Sequence, residues 1–498
     1  MIVFITYVFV FVSLTYYNGF FGLFKDEFIS RKKHAFLLLT KALAVPVFFL
    51  AYAKLYGGIE NFDTGKFYHD AVVINTYGKT DFGFFIRLLI GLQNDNPGSS
   101  DFNNCLVNTL NWDNGILKDY LYNDNRIVIR VHSLLHFIAF DSYLAHAFFN
   151  CFLSFIGIYF LYKTFKEWFV GKEMLVLLIL CFWPALWFYT GALLKEGITL
   201  FIMGLTLYQL KRFINRENSF KSLAFLPVLI FISFLLKPYI LIFASITFTL
   251  FFIYSKIKKQ ETKFLFFIGS FVLLVLIANG ASLVLKDKSL LSAAFEQQHK
   301  FVGVSKGGVF VSDSIKLIRL TDTLGLEKLA NKKDVFTIKK NIPYMYWQRP
   351  RLQDTNYVVA NKDTATHYKL MYIIQEGNSN VHLSHKNSVY TAASALYYTL
   401  FYPSVFNAKS SLQFLASFEN IVIIISLFLV CFNLIKSRRD KFLPFVFLFF
   451  CLSLCLLIGL TSPNSGAIFR YRSPAIIFLL MAALYSIDFT KQRTRFSD

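Results

Sequence analysis

The chain of 498 residues is 55% hydrophobic and only 16% charged, with a formal net charge of +21. Soluble globular domains carry about 25% charged residues, so this composition excludes a water-soluble fold, a disordered chain and a disulfide-rich secreted scaffold. In a membrane protein, the positions of basic residues indicate topology rather than nucleic-acid binding. We therefore expect an integral membrane protein with no nucleic-acid partner.

Eleven apolar runs predict an all-α polytopic membrane protein, since a bilayer core of about 30 Å requires roughly 20 apolar residues per helix. The first run has no basic region before it and no small-residue cleavage site, so we expect it to be retained as a helix rather than removed as a signal peptide. The runs are residues 2–24, 35–56, 143–162, 173–190, 192–210, 222–236, 239–255, 264–285, 413–435, 443–461 and 474–489.

Clusters of Lys and Arg follow alternate boundaries of these runs and together hold 22 bases. The positive-inside rule makes that side cytoplasmic, which places the amino terminus outside and the carboxyl terminus inside. An odd number of spans also requires the two termini to lie on opposite sides of the membrane. The clusters lie at residues 25–33, 163–172, 211–221, 256–263, 436–441 and 491–495.

This topology divides the chain into helical groups and two large extracytoplasmic segments. Two stretches of the first segment, 82–93 and 126–142, are too polar or too short to span and indicate amphipathic helices at the interface. Because both large segments lie on one side, we expect a site at the outer surface of the membrane. The divisions are 1–56 with two helices, 57–142 outside, 143–285 with six helices, 286–412 outside, and 413–498 with three helices and a cytoplasmic tail.

Two carboxylates follow the second predicted helix closely. Asp63 and Asp70 are seven residues apart, so in a helix they fall on one face, two turns apart. A carboxylate at a membrane–water boundary can act as a general base, because partial desolvation raises its basicity. The alternative is that both acids only solvate a surface loop.

Asp63 followed by Tyr68 and His69, just beyond an early helix, resembles the first-loop acidic motif of the GT-C glycosyltransferase superfamily. That superfamily includes lipid A aminoarabinose transferases and protein O-mannosyltransferases. Three further segments resemble polytopic membrane proteins associated with bacterial surface polysaccharides. They are residues 183–196, 401–420 and 464–474.

The resemblance implies a transferase of the bacterial inner membrane that takes a sugar from a polyprenyl-phosphate or polyprenyl-diphosphate carrier. Its acceptor would be a glycan, a lipid or a protein at the outer face. Asp63 or Asp70 would be the base, with Tyr68 and His69 beside the substrate. Whether a divalent cation assists and whether the protein is oligomeric are both left open, and the sequence contains no metal motif.

Such a donor needs cations around its leaving group, because negative charge develops on the phosphate as the C–O bond breaks. Basic residues lie at the predicted outer ends of several helices, although each could instead be an interfacial anchor or a loop residue. For Arg470 and Arg472 we expect little contribution to helix packing. The candidates are Lys195 with Glu196, Lys237, and Arg470, Tyr471 and Arg472.

Other readings of the sequence stay open. His132 and His136 have zinc-like spacing but lack the glutamate of a His-Glu-x-x-His motif, which favours interfacial packing. A polysaccharide polymerase also has about eleven helices and large outer loops with arginines. A transporter or a non-catalytic assembly subunit is the alternative from a different class. A transporter predicts paired ionisable residues near the bilayer midplane and often inverted repeats.

Overall fold

The computed structural model describes residues 1–60, 62–95, 99–112, 124–217, 219–284, 388–408, 411–437, 440–462 and 464–487, together with Lys362 and seven strands between residues 309 and 372. Eighteen α-helices lie in these described parts. They are α1 (Ile2–Asn18), α2 (Arg31–Ala42), α3 (Ala44–Tyr56), α4 (Asp63–Thr80), α5 (Phe82–Ile90), α6 (Ser100–Asn104), α7 (Asn125–Ala139), α8 (Tyr143–Phe165), α9 (Glu173–Phe182), α10 (Pro184–Thr190), α11 (Lys195–Ile214), α12 (Ser219–Leu236), α13 (Pro238–Tyr254), α14 (Gln260–Val284), α15 (Ser388–Leu400), α16 (Ser411–Lys436), α17 (Phe442–Thr461) and α18 (Ser465–Ser486).

Each of the eleven predicted apolar runs contains a helix. Within the described residues, six helical segments are long and apolar enough to cross a membrane, and α9 with α10, bent by 59°, would make a seventh. The apolar helices α1 and α13 and the apolar part of α12 are shorter. The chain therefore has the architecture of a multi-pass membrane protein, and the count of eleven spans stays a prediction.

Ion pairs join the helix ends at which the sequence predicts cytoplasmic bases. Lys166 Nζ lies 3.0 Å from Asp26 Oδ2, and Lys263 Nζ lies 2.7 Å from Asp440 Oδ2. These contacts bring four distant parts of the sequence together in two pairs, in agreement with a common side for their helix ends. Which side faces the cytoplasm, and the membrane in which the protein resides, stay predictions.

The centre of the bundle depends on a close approach of α8 and α11. A Cβ added at Gly204 would lie 2.1 Å from the backbone oxygen of Gly157, and one added at Gly157 would lie 2.4 Å from the backbone oxygen of Leu200. Small residues allow membrane helices to pack at backbone contact distance. This contact fixes the position of α11 against α8, and the first residues of α11 form part of the candidate site.

Helix α7 covers most of the stretch 126–142 predicted as an interfacial helix, and its buried face carries polar as well as apolar residues. His132 and Ser133 are fully buried, whereas the apolar side chains of Leu134, Phe137 and Ile138 are 44–48% exposed. A helix that turns polar groups inward and apolar groups outward fits contact with lipid. The interfacial position of this helix stays a prediction with this support.

Seven short strands add to the helical architecture within the predicted segment 286–412. Five form an antiparallel sheet in the order β5-β4-β2-β1-β7, and β3 pairs with β6 in a separate antiparallel sheet. The all-α prediction therefore holds for the apolar helices and needs this correction outside them, since periodicity was weak in this polar segment. The strands are β1 (Val309–Ser312), β2 (Lys316–Arg319), β3 (Val335–Ile338), β4 (Pro343–Gln348), β5 (Asn356–Val359), β6 (Thr364–His367) and β7 (Lys369–Tyr372).

Candidate functional site

A half-open cavity of about 150 Å³ lies where the first residues of α4 meet α3, the turn before α11, and α18. It combines one carboxylate, one guanidinium, two hydroxyls and an aromatic wall. This combination of polar groups on an otherwise apolar lining is typical of a binding site for a small molecule. The lining residues are Phe48, Tyr52, Phe62, Asp63, Thr64, Leu194 and Arg470.

Asp63 is the first residue of α4, and its side chain is 51% exposed. The preceding Phe62 is extended and starts the helix, while a carboxylate at this end complements the helix dipole. Gly65 lets the helix begin against the preceding turn, because a Cβ there would lie 2.3 Å from the oxygen of Ile59. The local backbone thus fixes Asp63 at the cavity.

Arg470 reaches Asp63 across the cavity from the second turn of α18. Its Nη2 lies 3.6 Å from Asp63 Oδ2, and its Nε lies 3.8 Å from Glu196 Oε1. Asn464 caps the amino-terminal end of α18, since its Oδ1 accepts hydrogen bonds from the backbone amides of Gly466 and Ala467. The Arg470 side chain is 19% exposed, so it can meet a ligand in the cavity.

Behind Arg470, Glu196 connects two cations. Lys237 Nζ lies 3.2 Å from Glu196 Oε1, and both side chains are nearly inaccessible. The ammonium of Lys237 also lies 3.7 Å from the ring centroid of Tyr471. A buried pair of this kind requires close partners, because an uncompensated charge at this depth would be costly. The carboxylate of Glu196 therefore orients Arg470 toward the cavity.

Lys195 pairs with a residue that the sequence analysis did not single out. Its Nζ lies 2.5 Å from Asp124 Oδ1, at the amino-terminal end of α7. The turn before Lys195 is held by the side-chain amide of Asn150, which donates to the carbonyls of Ala192 at 2.6 Å and Leu194 at 2.9 Å. Lys195 thus joins the segment before α7 to α11, and it directly follows Leu194, which lines the cavity.

The second predicted carboxylate, Asp70, lies in a different environment. It is fully buried, and its two oxygens accept hydrogen bonds from the backbone amides of Leu110 at 2.6 Å and Asn111 at 2.7 Å. A carboxylate with both oxygens engaged by amides is well suited to fixing a loop. His69, beside it, has a side chain 47% exposed.

Tyr68 points away from Asp63 toward the turn after α7. Its hydroxyl donates to the carbonyl oxygen of Asp141 at 2.7 Å. Burial, with the Asp141 carboxylate as a second cause, raises the pKa of Tyr68. Tyr68 therefore supports α4 from behind, while Asp63 and Thr64 face the cavity. Thr64 Oγ1 is itself held at 2.7 Å from the hydroxyl of Tyr143.

Arg472 is separated from the cavity group. It is fully buried and donates to the carbonyl of Thr399 at 2.6 Å and to Asn420 Oδ1 at 2.8 Å, with Glu419 Oε2 at 3.6 Å. The expectation that this side chain contributes little to packing is wrong, because it joins three helices in the interior. Two residues along an α-helix turn a side chain by about 200°, which explains why Arg470 and Arg472 diverge.

Sequence reasoning missed the aromatic wall and the ionic partner of Lys195. The rings of Phe48 and Tyr52 stack at 4.2 Å, and Phe62 meets Tyr52 edge-on at 4.9 Å. In a chain with 60 phenylalanines, nothing local distinguishes these rings from lipid-facing ones. Asp124 stood in a long polar stretch without a periodic signal.

Within the described residues, no cluster of three or more His, Cys, Asp or Glu side chains could hold a metal ion. Comparison with protein families, curated proteins and solved structures finds no match to this chain. The site is therefore interpreted from its own geometry, and the resemblance to GT-C glycosyltransferases stays a prediction.

Proposed function

We propose that this protein is a membrane glycosyltransferase that transfers a sugar from a polyprenyl-phosphate or polyprenyl-diphosphate carrier to a glycan, lipid or protein acceptor. The observation that carries the proposal is the shared cavity of Asp63 and Arg470, whose charged groups lie 3.6 Å apart. A base and a cation at one cavity are the two groups that this reaction requires. The predicted topology places this reaction at the outer face, and the resemblance to GT-C glycosyltransferases implies the bacterial inner membrane.

In this reaction Asp63 takes the proton of the acceptor hydroxyl as the oxygen attacks the anomeric carbon. The bond between that carbon and the phosphate oxygen breaks, and the phosphate leaves with the electron pair. Arg470 stabilises the charge that develops there, as preorganised donors do at a leaving group. Because the acceptor attacks opposite to the leaving group, the donor must enter between Asp63 and Arg470 and separate their charged groups. The anomeric configuration then inverts.

The remaining cavity residues support binding of a sugar ring. Tyr52 and Phe62 offer an aromatic surface on which the apolar face of a pyranose can pack, and Thr64 offers a hydroxyl. Glu196 and Lys237 keep Arg470 oriented. Together these groups account for binding, activation and leaving-group stabilisation within one cavity.

The test uses purified protein in lipid nanodiscs with radiolabelled polyprenyl-phosphate sugars. Donor cleavage to free sugar, with water as acceptor, is measured beside donor binding, so that an unknown acceptor does not prevent the assay. Asp63→Asn should lose cleavage with binding retained, and Arg470→Ala should weaken binding and cleavage together. Glu60→Gln is the matched control, since Glu60 is an exposed carboxylate three residues from Asp63. Equal cleavage by wild type and Asp63→Asn contradicts the proposal.

Transport is a second candidate, favoured by two features inside candidate spans. Arg472 and Glu419 form a buried pair at 3.6 Å, and Lys41 is fully buried with Thr190 Oγ1 at 2.8 Å. Ionisable groups within membrane helices often mark ion or substrate pathways. Flux of a solute into proteoliposomes that depends on Lys41, without donor cleavage, would favour transport over transfer.

A further inference from the structure

Three histidines and one aspartate form a continuous chain between α7, α8 and the turn that joins them. His132 Nδ1 lies 3.2 Å from His146 Nδ1, and His146 Nε2 lies 3.1 Å from His136 Nδ1. His136 Nε2 lies 2.8 Å from Asp141 Oδ1. His132 and His146 are fully buried, whereas the side chain of Asp141 is 80% exposed. The chain thus runs from the protein interior to the surface.

The carboxylate at one end fixes which ring nitrogens carry protons. An ionised carboxylate only accepts, so His136 donates through Nε2 and its Nδ1 is left as an acceptor. His146 must then donate through Nε2, and His132 must donate through Nδ1. Each ring is neutral and the chain has one direction. His132 Nε2 remains a buried lone pair, and it has no hydrogen-bond partner in the described part of the chain.

The surroundings keep this chain neutral at pH 7. Burial is the main cause that lowers the pKa of both His132 and His136. His146 contacts His132 through one ring nitrogen and His136 through the other. A single metal ion could not bind both nitrogens of one ring, so it could not bridge all three histidines in this arrangement. Among the titratable side chains of neighbouring elements, the ring centroid of Tyr68 on α4 lies 5.3 Å from that of His146, and the cation of Lys79 on α4 also lowers the pKa of His136. Tyr7 of α1 donates to the carbonyl of Ile138, and Arg126 and Arg130 are the arginines on α7 itself.

We propose that this chain is a proton relay: His132 Nε2 accepts a proton from a hydronium ion that reaches the buried end of the chain, and the positive charge is delivered to Asp141 at the surface. As the new proton binds His132 Nε2, the Nδ1 proton of His132 moves to His146 Nδ1. The Nε2 proton of His146 then moves to His136 Nδ1. His136 becomes a cation beside the Asp141 carboxylate, from which one proton can pass to water. All atoms and charges balance, with one proton gained at the inner end and one released at the outer end.

This transfer avoids the main cost of protonating a buried base. A charge confined to His132 would be desolvated and unpaired, whereas the relay places it next to a carboxylate in contact with water. Tautomer reversal of His132 and His146 is the signature of the mechanism. It does not depend on glycosyl transfer, so it can succeed or fail independently of the proposed function.

The experiment is ¹⁵N NMR of the histidine rings in the full chain, reconstituted in lipid nanodiscs and titrated from pH 8 to pH 4. Single His→Asn variants assign the signals. At pH 8, His132 should carry its proton on Nδ1 and His146 on Nε2. On acidification, both should exchange to the other nitrogen at the pH where His136 becomes doubly protonated.

Asp141→Asn tests the direction of charge transfer at an exposed position that leaves the buried rings in place. The carboxamide oxygen can still accept from His136 but carries no charge, so the shared transition should move down by at least one pH unit. Exposed His69 lies outside the chain and is the internal control, so its signals should be the same in both proteins. A fixed His132 tautomer over the whole range, or an unchanged transition in Asp141→Asn, overturns the relay.

Discussion

Arg470 and Arg472 lie two residues apart on α18, but their side chains contact different parts of the protein. Arg470 lies 3.6 Å from Asp63 at the cavity, whereas Arg472 donates to the carbonyl of Thr399 inside the bundle. One is placed to meet a ligand and the other to hold helices together. Substitution of each should therefore change a different property of the protein.

Arg472→Ala should destabilise the fold by about 3–5 kcal/mol, because it leaves Glu419 as a buried carboxylate without its cation. Arg470→Ala should change thermal unfolding far less while weakening donor binding. Thermal unfolding in detergent, together with the donor-binding assay, separates the two effects. The exposed Arg216→Ala serves as control. Equal loss of stability in both α18 variants would contradict the division between them.

Substitution of Asp63 should mainly lower activity, whereas substitution of Asp70 should mainly lower stability. Asp63→Asn removes the base and should lower transfer by about 10²–10⁴-fold. Because the carboxylate also complements the dipole of α4, stability should fall by no more than about 0.3–1 kcal/mol. Asp70→Asn keeps one acceptor oxygen but places an NH2 donor against the other backbone amide, so one of the hydrogen bonds from Leu110 and Asn111 is lost and the other loses its charge. This should cost about 1–3 kcal/mol of stability. Rate and unfolding midpoint are measured on the same preparations. Full activity in Asp63→Asn, with activity lost in Asp70→Asn, would reverse the assignment.

The helices could be predicted from sequence because apolar runs are a local property, and each of the eleven runs contains a helix. The sequence placed Glu196, Lys237 and Arg470 at the same predicted ends of their helices, but only the structure pairs Glu196 with the other two. The partner of Lys195 and the role of Arg472 did not follow, because tertiary packing decides which way a side chain points. The spacing of His132 and His136 was visible, but His146 completes their chain from another helix.

The predicted orientation can be tested with reporter fusions. Fusions at Lys259 and Lys441 should report a cytoplasmic location, because basic residues are retained on that side of the membrane. Activity of a periplasmic reporter such as a secreted phosphatase, compared with a cytoplasmic reporter at the same positions, makes the measurement. A periplasmic signal at Lys259 would place the Asp63 cavity on the opposite side, where nucleotide sugars would be the expected donors.

The approach of α8 and α11 predicts a sharp difference between two glycines. Gly204→Ala would place a Cβ 2.1 Å from the oxygen of Gly157, so the helices must separate, at a cost of about 1–3 kcal/mol. Gly269→Ala on α14 is the matched control, because a Cβ there meets no atom within 4 Å. Thermal unfolding of both variants measures the difference. Equal midpoints would show that α8 and α11 can move apart freely.

The buried histidines should make the folded protein less stable as the pH falls. Burial lowers the pKa of His132 and His136 in the folded protein below the value of about 6.5 expected for an unfolded chain. Well above pH 6.5 both histidines are neutral in the folded and the unfolded state, so they contribute no pH dependence to stability. As pH falls below 6.5, the unfolded chain takes up protons first, so stability decreases by up to about 1.4 kcal/mol per pH unit for each histidine.

Thermal unfolding midpoints between pH 7.5 and pH 5.0 test this dependence. The midpoint of the wild type should fall with acidification, and His132→Gln should reduce the slope because one group that titrates on unfolding is gone. His69→Gln is the control, since the half-exposed His69 lies outside the chain of histidines. The comparison depends on slopes rather than on absolute midpoints, so a general loss of stability in His132→Gln does not affect it. A slope that is the same in wild type and His132→Gln would show that burial of this ring does not link folding to proton uptake.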